Sequence, residues 1–118
     1  MTGVDLDLST RELGNRAVVQ VAGEVDLETA SRLGDHALDA LREVSPHVVL
    51  DLGGVTFMDS TGLKVLLTIS RRAELAGGSF AIAGASRTVR RILSLTGLDQ
   101  TFALHDTLDD VPAADASV

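Results

Sequence analysis

The chain has 118 residues, of which 45% are hydrophobic, so it is long enough to form one domain around a single buried core. The absence of cysteine excludes disulfides and thiolate metal sites, and the absence of Tyr and Trp removes the stacking platforms of single-stranded nucleic-acid binders. The net charge of −7 argues against nucleic acid and anionic membranes as partners, and no apolar run reaches the roughly 18 residues of a membrane span, so we expect a soluble cytoplasmic protein.

The N-terminal half predicts a hairpin followed by a helix. Residues 4–13 alternate apolar and polar side chains as a half-buried strand does, and a turn at residues 14–15 leads into a second strand over 16–21. Asp26 stands where a helix N-cap would, and apolar residues recur at helical spacing over 27–44. The chain is therefore expected to open with an antiparallel hairpin and an amphipathic helix.

Strands and helices alternate over the rest of the chain. The apolar run 47–52 predicts a strand buried on both faces, and the pattern continues with a helix over 60–76, a strand at 80–83, a helix capped by Ser86, a strand at 102–104 and one helical turn near 108–111. This order predicts an α/β domain over residues 1–111: a mixed, mainly parallel sheet of four to five strands, an N-terminal hairpin and about four helices. Residues 112–118 are expected to form a disordered tail.

The segment Asp59-Ser60-Thr61-Gly62 lies between the buried strand and the most hydrophobic helix, at the carboxyl end of a parallel strand, where sites tend to form. Three interpretations of it are open. These residues can cap the helix. Ser60 can act as a nucleophile, although Met58 replaces the first glycine of a serine elbow. Ser60 can also accept a phosphoryl group, because the resulting dianion would face free N–H groups at the positive end of the helix.

Other candidate sites are weaker. Asp51 ends the buried run and could accept a phosphoryl group, but the neighbouring acids that would hold Mg²⁺ and a suitably placed lysine are missing. The histidines and aspartates show no metal-ligand spacing, and we predict neither a metal nor a cofactor. In helix 60–76 the apolar arc that includes Val65 and Ile69 is wider than one core contact requires, so one edge could face a partner; burial between neighbouring elements is the alternative.

Three segments of the chain resemble one known family. The sequences GEVDLETA (23–30), VVLDLGGVTFMDSTGL (48–63) and SRTVRRILSLTGLD (86–99) resemble, in order and spacing, the anti-sigma factor antagonists built on a STAS domain. The resemblance covers roughly residues 4–111. It implies a mixed four- or five-stranded sheet with helices packed on it, and a binding protein that is not itself an enzyme.

The resemblance also implies a switch. Ser60 would be phosphorylated by the anti-sigma factor, itself an ATP-dependent serine kinase. The unphosphorylated antagonist would bind that kinase and release a sigma factor, the phosphorylated form would not bind, and a PP2C-type phosphatase would restore it.

The resemblance assigns supporting roles to neighbouring residues. Asp59 would flank the phosphoacceptor, Asp26 would lie near the kinase-binding surface, and Gly62 would keep the helix entrance open to a partner. Thr61 stands where a second serine is more frequent, so a minor phosphorylation there stays open. The alternative is a STAS scaffold or accessory subunit of a stress-signalling or lipid-transport complex, in which Ser60 is only a cap.

Overall fold

The computed structural model of the chain describes residues 6–112, which form a five-stranded sheet with helices packed against it. The elements in chain order are β1 (Leu6–Leu13), β2 (Arg16–Val25), α1 (Ala30–Glu43), β3 (His47–Met58), α2 (Ser60–Leu75), β4 (Ser79–Ala83), α3 (Arg87–Thr96) and β5 (Ala103–His105), with 3₁₀ turns at Leu98–Gln100 and Leu108–Asp110. The strands lie side by side in chain order; β1 is antiparallel to β2, and every other neighbouring pair is parallel. The predicted α/β class, mainly parallel sheet and N-terminal hairpin are confirmed.

The helices differ from the prediction in number and in one boundary. Three α-helices and two 3₁₀ turns are found in residues 6–112, and the predicted fourth helix is the 3₁₀ turn Leu108–Asp110. α1 begins at Ala30 with Thr29 as its N-cap, because the Asp26 carboxylate accepts hydrogen bonds from the N–H groups of Glu28 and Thr29 and forms a turn that leads into the helix, where the Ala30 N–H donates to the Asp26 carbonyl. The predicted role of Asp26 as the helix N-cap is therefore wrong. Leu27, expected on the buried helix face, is 78% exposed.

β2 and β3 are longer than predicted and run to Val25 and Met58. Gly53 and Gly54, which follow the end of the apolar run at residue 52, lie inside the sheet, next to register shifts between the two strands. A Cβ atom on Gly54 would lie 2.7 Å from Cβ of Ala22, so the close approach of the strands requires glycine there. The extra length carries the ends of both strands to the Asp59-Ser60 segment.

The two faces of the sheet are covered unequally. The main hydrophobic cluster joins the three helices to one face, with Leu50, Leu66 and Leu93 fully buried in it. A smaller cluster on the opposite face is formed by Val18, Val49, Ala81, Ala83 and Val111. The predicted strand start at residue 4 lies outside the described residues, and so does the predicted tail 112–118 except for Pro112.

Candidate functional site

The entrance of α2 is capped by Asp59. Its backbone is extended, with φ −113° and ψ −169°, and its carboxylate oxygen Oδ1 accepts hydrogen bonds from the N–H of Thr61 at 2.9 Å and of Gly62 at 3.2 Å. The Leu63 N–H donates to the Asp59 carbonyl and begins the helical pattern. The Asp59 side chain therefore satisfies two of the four N–H donors that a helix start leaves open, and its own N–H is bonded to the Val25 carbonyl.

Ser60 is the first residue of α2 and is exposed. Within residues 6–112 its hydroxyl makes no hydrogen bond, since both capping bonds go to Asp59. The interpretation of Ser60 as the helix cap therefore does not fit the geometry. Its hydroxyl is held at a helix N-terminus, open to solvent and without a structural task.

The electrostatic surroundings of Ser60 differ from the expectation in one respect. A phosphate on Ser60 was expected to meet free N–H groups, but those of Thr61 and Gly62 are already bonded to the Asp59 carboxylate. A phosphate there would gain from the helix dipole, an effect of about 0.3–1 kcal/mol, and would be repelled by the adjacent carboxylate. The two effects oppose each other, so we expect little net change in the stability of the fold.

The turn that contains Asp26 lies beside Ser60 because β2 and β3 end together. Val25 pairs with Met58, and the Asp59 N–H donates to the Val25 carbonyl at 3.2 Å. The turn is fixed by the buried Thr29, whose hydroxyl donates to the Glu24 carbonyl at 2.6 Å and accepts from the Asp26 N–H at 3.0 Å. The structure thus brings Asp26, Asp59 and Ser60 to one end of the sheet, on backbone held by these hydrogen bonds.

Gly62 is buried beneath this end of the sheet. A Cβ atom there would lie 2.8 Å from Cγ of Met58 and 2.8 Å from Cγ1 of Val25. The glycine was expected to keep the helix entrance open to a partner. In the structure it lets α2 pack closely against the ends of β2 and β3, which is a packing role.

Two residues of the predicted partner surface are not freely accessible. Ile69 is 0% exposed and belongs to the main core, so its burial does not fit a direct contact with a partner. Val65 is half-buried and faces α1, where its Cγ1 would lie 3.5 Å from a Cβ on Gly34. The wide apolar arc of α2 is therefore explained by contact with the sheet on one side and α1 on the other.

Two exposed apolar side chains near the site were not predicted to belong to it. Leu27 stands beside Asp26 and is 78% exposed, and Phe57, near the end of β3, is 45% exposed. The exposure of Leu27 had no signal in the sequence, because Leu27 fits the apolar helical spacing predicted over 27–44. Phe57 gave no signal either, because its exposure depends on the length of β3.

The surroundings of Ser60 do not support nucleophilic catalysis. His47 begins β3, at the end far from Ser60, and bonds to Ser79, while His36 of α1 bonds to Thr10 on β1. Asp51 accepts from the Gly53 N–H, and residues 6–112 contain no cluster of His, Asp and Glu that could hold a metal ion. Three shallow clefts on the described residues, which include Gln20, Arg71 and Arg32 in turn among their linings, do not include Ser60. This open geometry suits contact with a protein surface.

Comparison with known proteins places the chain in a family. The STAS domain model matches residues 7–111. The chain belongs to the STAS domain family. Among curated relatives of this STAS protein, the anti-sigma-F factor antagonist RsfB of Mycobacterium tuberculosis is 38% identical over 96 residues, 80% of this chain and 76% of the relative. The anti-sigma-B factor antagonist of Bacillus subtilis is 30% identical over 95 residues, 80% of this chain and 86% of the relative.

Solved structures share the STAS fold. An anti-sigma factor antagonist from Mycobacterium paratuberculosis superposes with a TM-score of 0.80 and 34% identity, covering 90% of both chains. Unphosphorylated SpoIIAA, also an anti-sigma factor antagonist, superposes with a TM-score of 0.72 at 19% identity, covering 88% of this chain and 91% of that one. At that level of identity the second likeness concerns the fold alone. In the described part of this STAS protein, no helix is long and apolar enough to cross a membrane.

Proposed function

We propose that this STAS protein is an anti-sigma factor antagonist whose binding to an anti-sigma factor serine kinase is switched off by phosphorylation of Ser60. The unphosphorylated form binds the kinase and frees a sigma factor, and a PP2C-type phosphatase regenerates it. The protein is a cytoplasmic binding module, not an enzyme, and the ATP belongs to the kinase. The names of the relatives RsfB and the anti-sigma-B factor antagonist support the partner class.

The observation that supports the switch most strongly is that Asp59, and not Ser60, caps α2. Asp59 makes both capping bonds of α2, so modification of Ser60 removes no bond that holds the fold together. The Ser60 hydroxyl is exposed to an incoming kinase. Phosphorylation can therefore change the charge of this surface without first unfolding it.

The change in charge is large for this location. A phosphoserine carries about −1.5 to −2 charges at neutral pH and would lie beside the carboxylate of Asp59, near that of Asp26. A partner that accepts the acidic, unphosphorylated surface must then also accommodate a compact dianion in the contact. The added desolvation cost and repulsion oppose docking, while the exposed apolar side chains Leu27 and Phe57 supply the contact area that the unmodified surface offers.

The first test is a pull-down from lysate of the source cells with Ser60→Ala and Ser60→Glu baits, read by mass spectrometry. The alanine bait should retain a serine kinase of the anti-sigma class, and the glutamate bait should bind it roughly 10²-fold more weakly or worse. Ser94→Glu, a similar change at an exposed serine on α3, is the control and should bind like the wild type. The captured kinase with ATP should then add the mass of one phosphoryl group to the wild type and none to Ser60→Ala.

Two results would contradict the switch. Equal recovery of the same proteins by the Ser60→Ala and Ser60→Glu baits would favour a STAS scaffold that is not controlled at Ser60. Phosphorylation of Ser60→Ala to the same extent as the wild type would move the modification to another residue, and peptide mapping would show whether Thr61 is that residue.

A further inference from the structure

β1 is an outer strand of the sheet that residues 6–112 form. All eight of its residues, Leu6–Leu13, pair with β2 without a register shift, and no strand within residues 6–112 pairs with its other side. β1 also lacks the proline and the bulge with which proteins commonly block an outer edge. This edge can therefore accept another strand.

The turn of the hairpin fixes which backbone groups face outward. Gly14 has φ 67° at the first position of the two-residue turn, which pairs Leu13 with Arg16 through backbone hydrogen bonds. Alternation along the strand then directs the N–H and C=O groups of Leu8 and Thr10 away from β2. Consistently, the outward carbonyl of Leu6 accepts a hydrogen bond from Nη2 of Arg32 at 2.9 Å.

The side chains of β1 suit an antiparallel copy of the same strand. With a two-fold axis at Ser9, Leu8 faces Thr10 of the second copy and both exchange backbone hydrogen bonds. Asp7 then stands directly opposite Arg11 of the second copy, and Arg11 opposite its Asp7. We infer that β1 is a self-association edge, through which a second copy of this chain pairs antiparallel about Ser9 and extends the sheet across both molecules.

The charges favour this register over its neighbours. Asp7 and Arg11 are exposed on the sheet face opposite the main core, and neither makes an ion pair or a side-chain hydrogen bond with any residue between 6 and 112. In the proposed pairing they occupy positions that do not exchange backbone hydrogen bonds, where side chains lie closest. A shift by one residue would set outward backbone groups against inward ones and break the ladder, and the permitted shift by two would place Asp7 opposite Ser9 or Leu13, where it gains no ion pair.

The other face of the strand is compatible with pairing. Leu8 is half-buried against the main core, and the hydroxyl of Thr10 bonds to Nε2 of His36 at 2.6 Å, so both side chains are already held in place. The bond from Arg32 to Leu6 leaves the central positions, Leu8 and Thr10, as the main backbone contact. A contact this short predicts a weak dimer. The inference does not depend on the proposed function, since it involves none of the residues near Ser60.

The test reverses a charge at the proposed contact and measures self-association by sedimentation equilibrium. The buffer contains about 0.15 M salt, so that charges more than about 8 Å apart are largely screened and only close pairs contribute. The wild type should self-associate between about 10 µM and 1 mM. Asp7→Arg and Arg11→Asp should each weaken association about tenfold, because each sets like charges opposite one another twice per dimer. Mixing the two variants should restore association, since one edge is then positive and the other negative.

Controls and a local readout make the outcome decisive. Glu74→Arg and Arg71→Asp, exposed on α2, change the net charge equally and should leave association unchanged. Amide exchange at Leu8 and Thr10 should slow with rising concentration of the wild type. A wild type that stays monomeric at about 1 mM, or one whose association ignores both β1 variants, would overturn the inference.

Discussion

Asp59 holds the entrance of α2 through two backbone hydrogen bonds, whereas the neighbouring Ser60 hydroxyl makes none with residues 6–112. We therefore expect Asp59→Ala to lower the free energy of unfolding by about 0.5–2 kcal/mol, the usual cost of losing an N-cap. Ser60→Ala should change it by less than about 0.5 kcal/mol, as surface substitutions do. Urea unfolding of both variants measures the difference. A larger loss for Ser60→Ala than for Asp59→Ala would return the capping role to Ser60.

The sequence located this site but could not show which of its residues caps the helix and which is free to be modified. Residue types and position indicated that Asp59, Ser60 and Thr61 begin a helix at the end of a strand. Which of them caps the helix depends on the backbone angles of Asp59, and these depend on where β3 ends. The burial of Ile69 was likewise hidden, because helical periodicity shows which residues share a face and not what covers that face.

Two glycines test how closely the helices pack against their neighbours: Gly34, where α1 meets α2, and Gly62, where α2 meets the ends of β2 and β3. A Cβ on Gly34 of α1 would meet Cγ1 of Val65 at 3.5 Å, an ordinary contact, so Gly34→Ala should stabilise the protein by about 0.5–1 kcal/mol. A Cβ on Gly62 of α2 would come within 2.8 Å of Met58 and Val25, so Gly62→Ala should destabilise it by about 1–3 kcal/mol.

Thermal unfolding measures the stabilisation expected for Gly34→Ala and the destabilisation expected for Gly62→Ala. The opposite signs separate steric contact from helix propensity, which favours alanine at both positions. If both variants were stabilised, Met58 and Val25 would have to repack without cost, and the tight contact at Gly62 would not be important for the fold.

The elements with explicit end signals were predicted most accurately. α3 follows Ser86, whose hydroxyl accepts from the Val89 N–H, and ends before Gly97, as the sequence indicated. The start of α1 was misplaced because Asp26 caps the turn that leads into the helix, whereas the helix itself starts after Thr29, and local sequence does not distinguish the two positions. β2 and β3 were predicted too short because their apolar runs stop at residues 21 and 52, whereas the glycines that follow can lie in a sheet where strands approach closely, as Gly54 does.

At the scale of the whole molecule, the sheet has one deep core and one shallow one. The three helices cover one face, whereas the opposite cluster around Val18 and Val49 is covered by Val111 and the half-buried Leu108. Nη1 of Arg16 donates to the Val111 carbonyl at 3.0 Å and ties this C-terminal segment to the start of β2. Stability should therefore depend mainly on the helix-covered face, with the C-terminal segment as a smaller, separable contribution.

The same substitution on each face tests this division. Leu66 of α2 is 0% exposed in the main core, so Leu66→Ala should cost about 2–5 kcal/mol through lost burial and the cavity it leaves. Leu108 is half-buried at the surface, where water and neighbouring side chains can fill the space, so Leu108→Ala should cost about 1 kcal/mol. For a domain of this size, each kcal/mol lowers the melting temperature by roughly 4–8 °C, so scanning calorimetry resolves the two. Neither leucine side chain is part of the surface around Ser60. When either leucine substitution is combined with Ser60→Ala or Ser60→Glu, the folded molecules should therefore still bind the kinase in the alanine variant and lose binding in the glutamate variant. An equal loss of stability from the two leucines would mean that the C-terminal segment is as important to the fold as the helices.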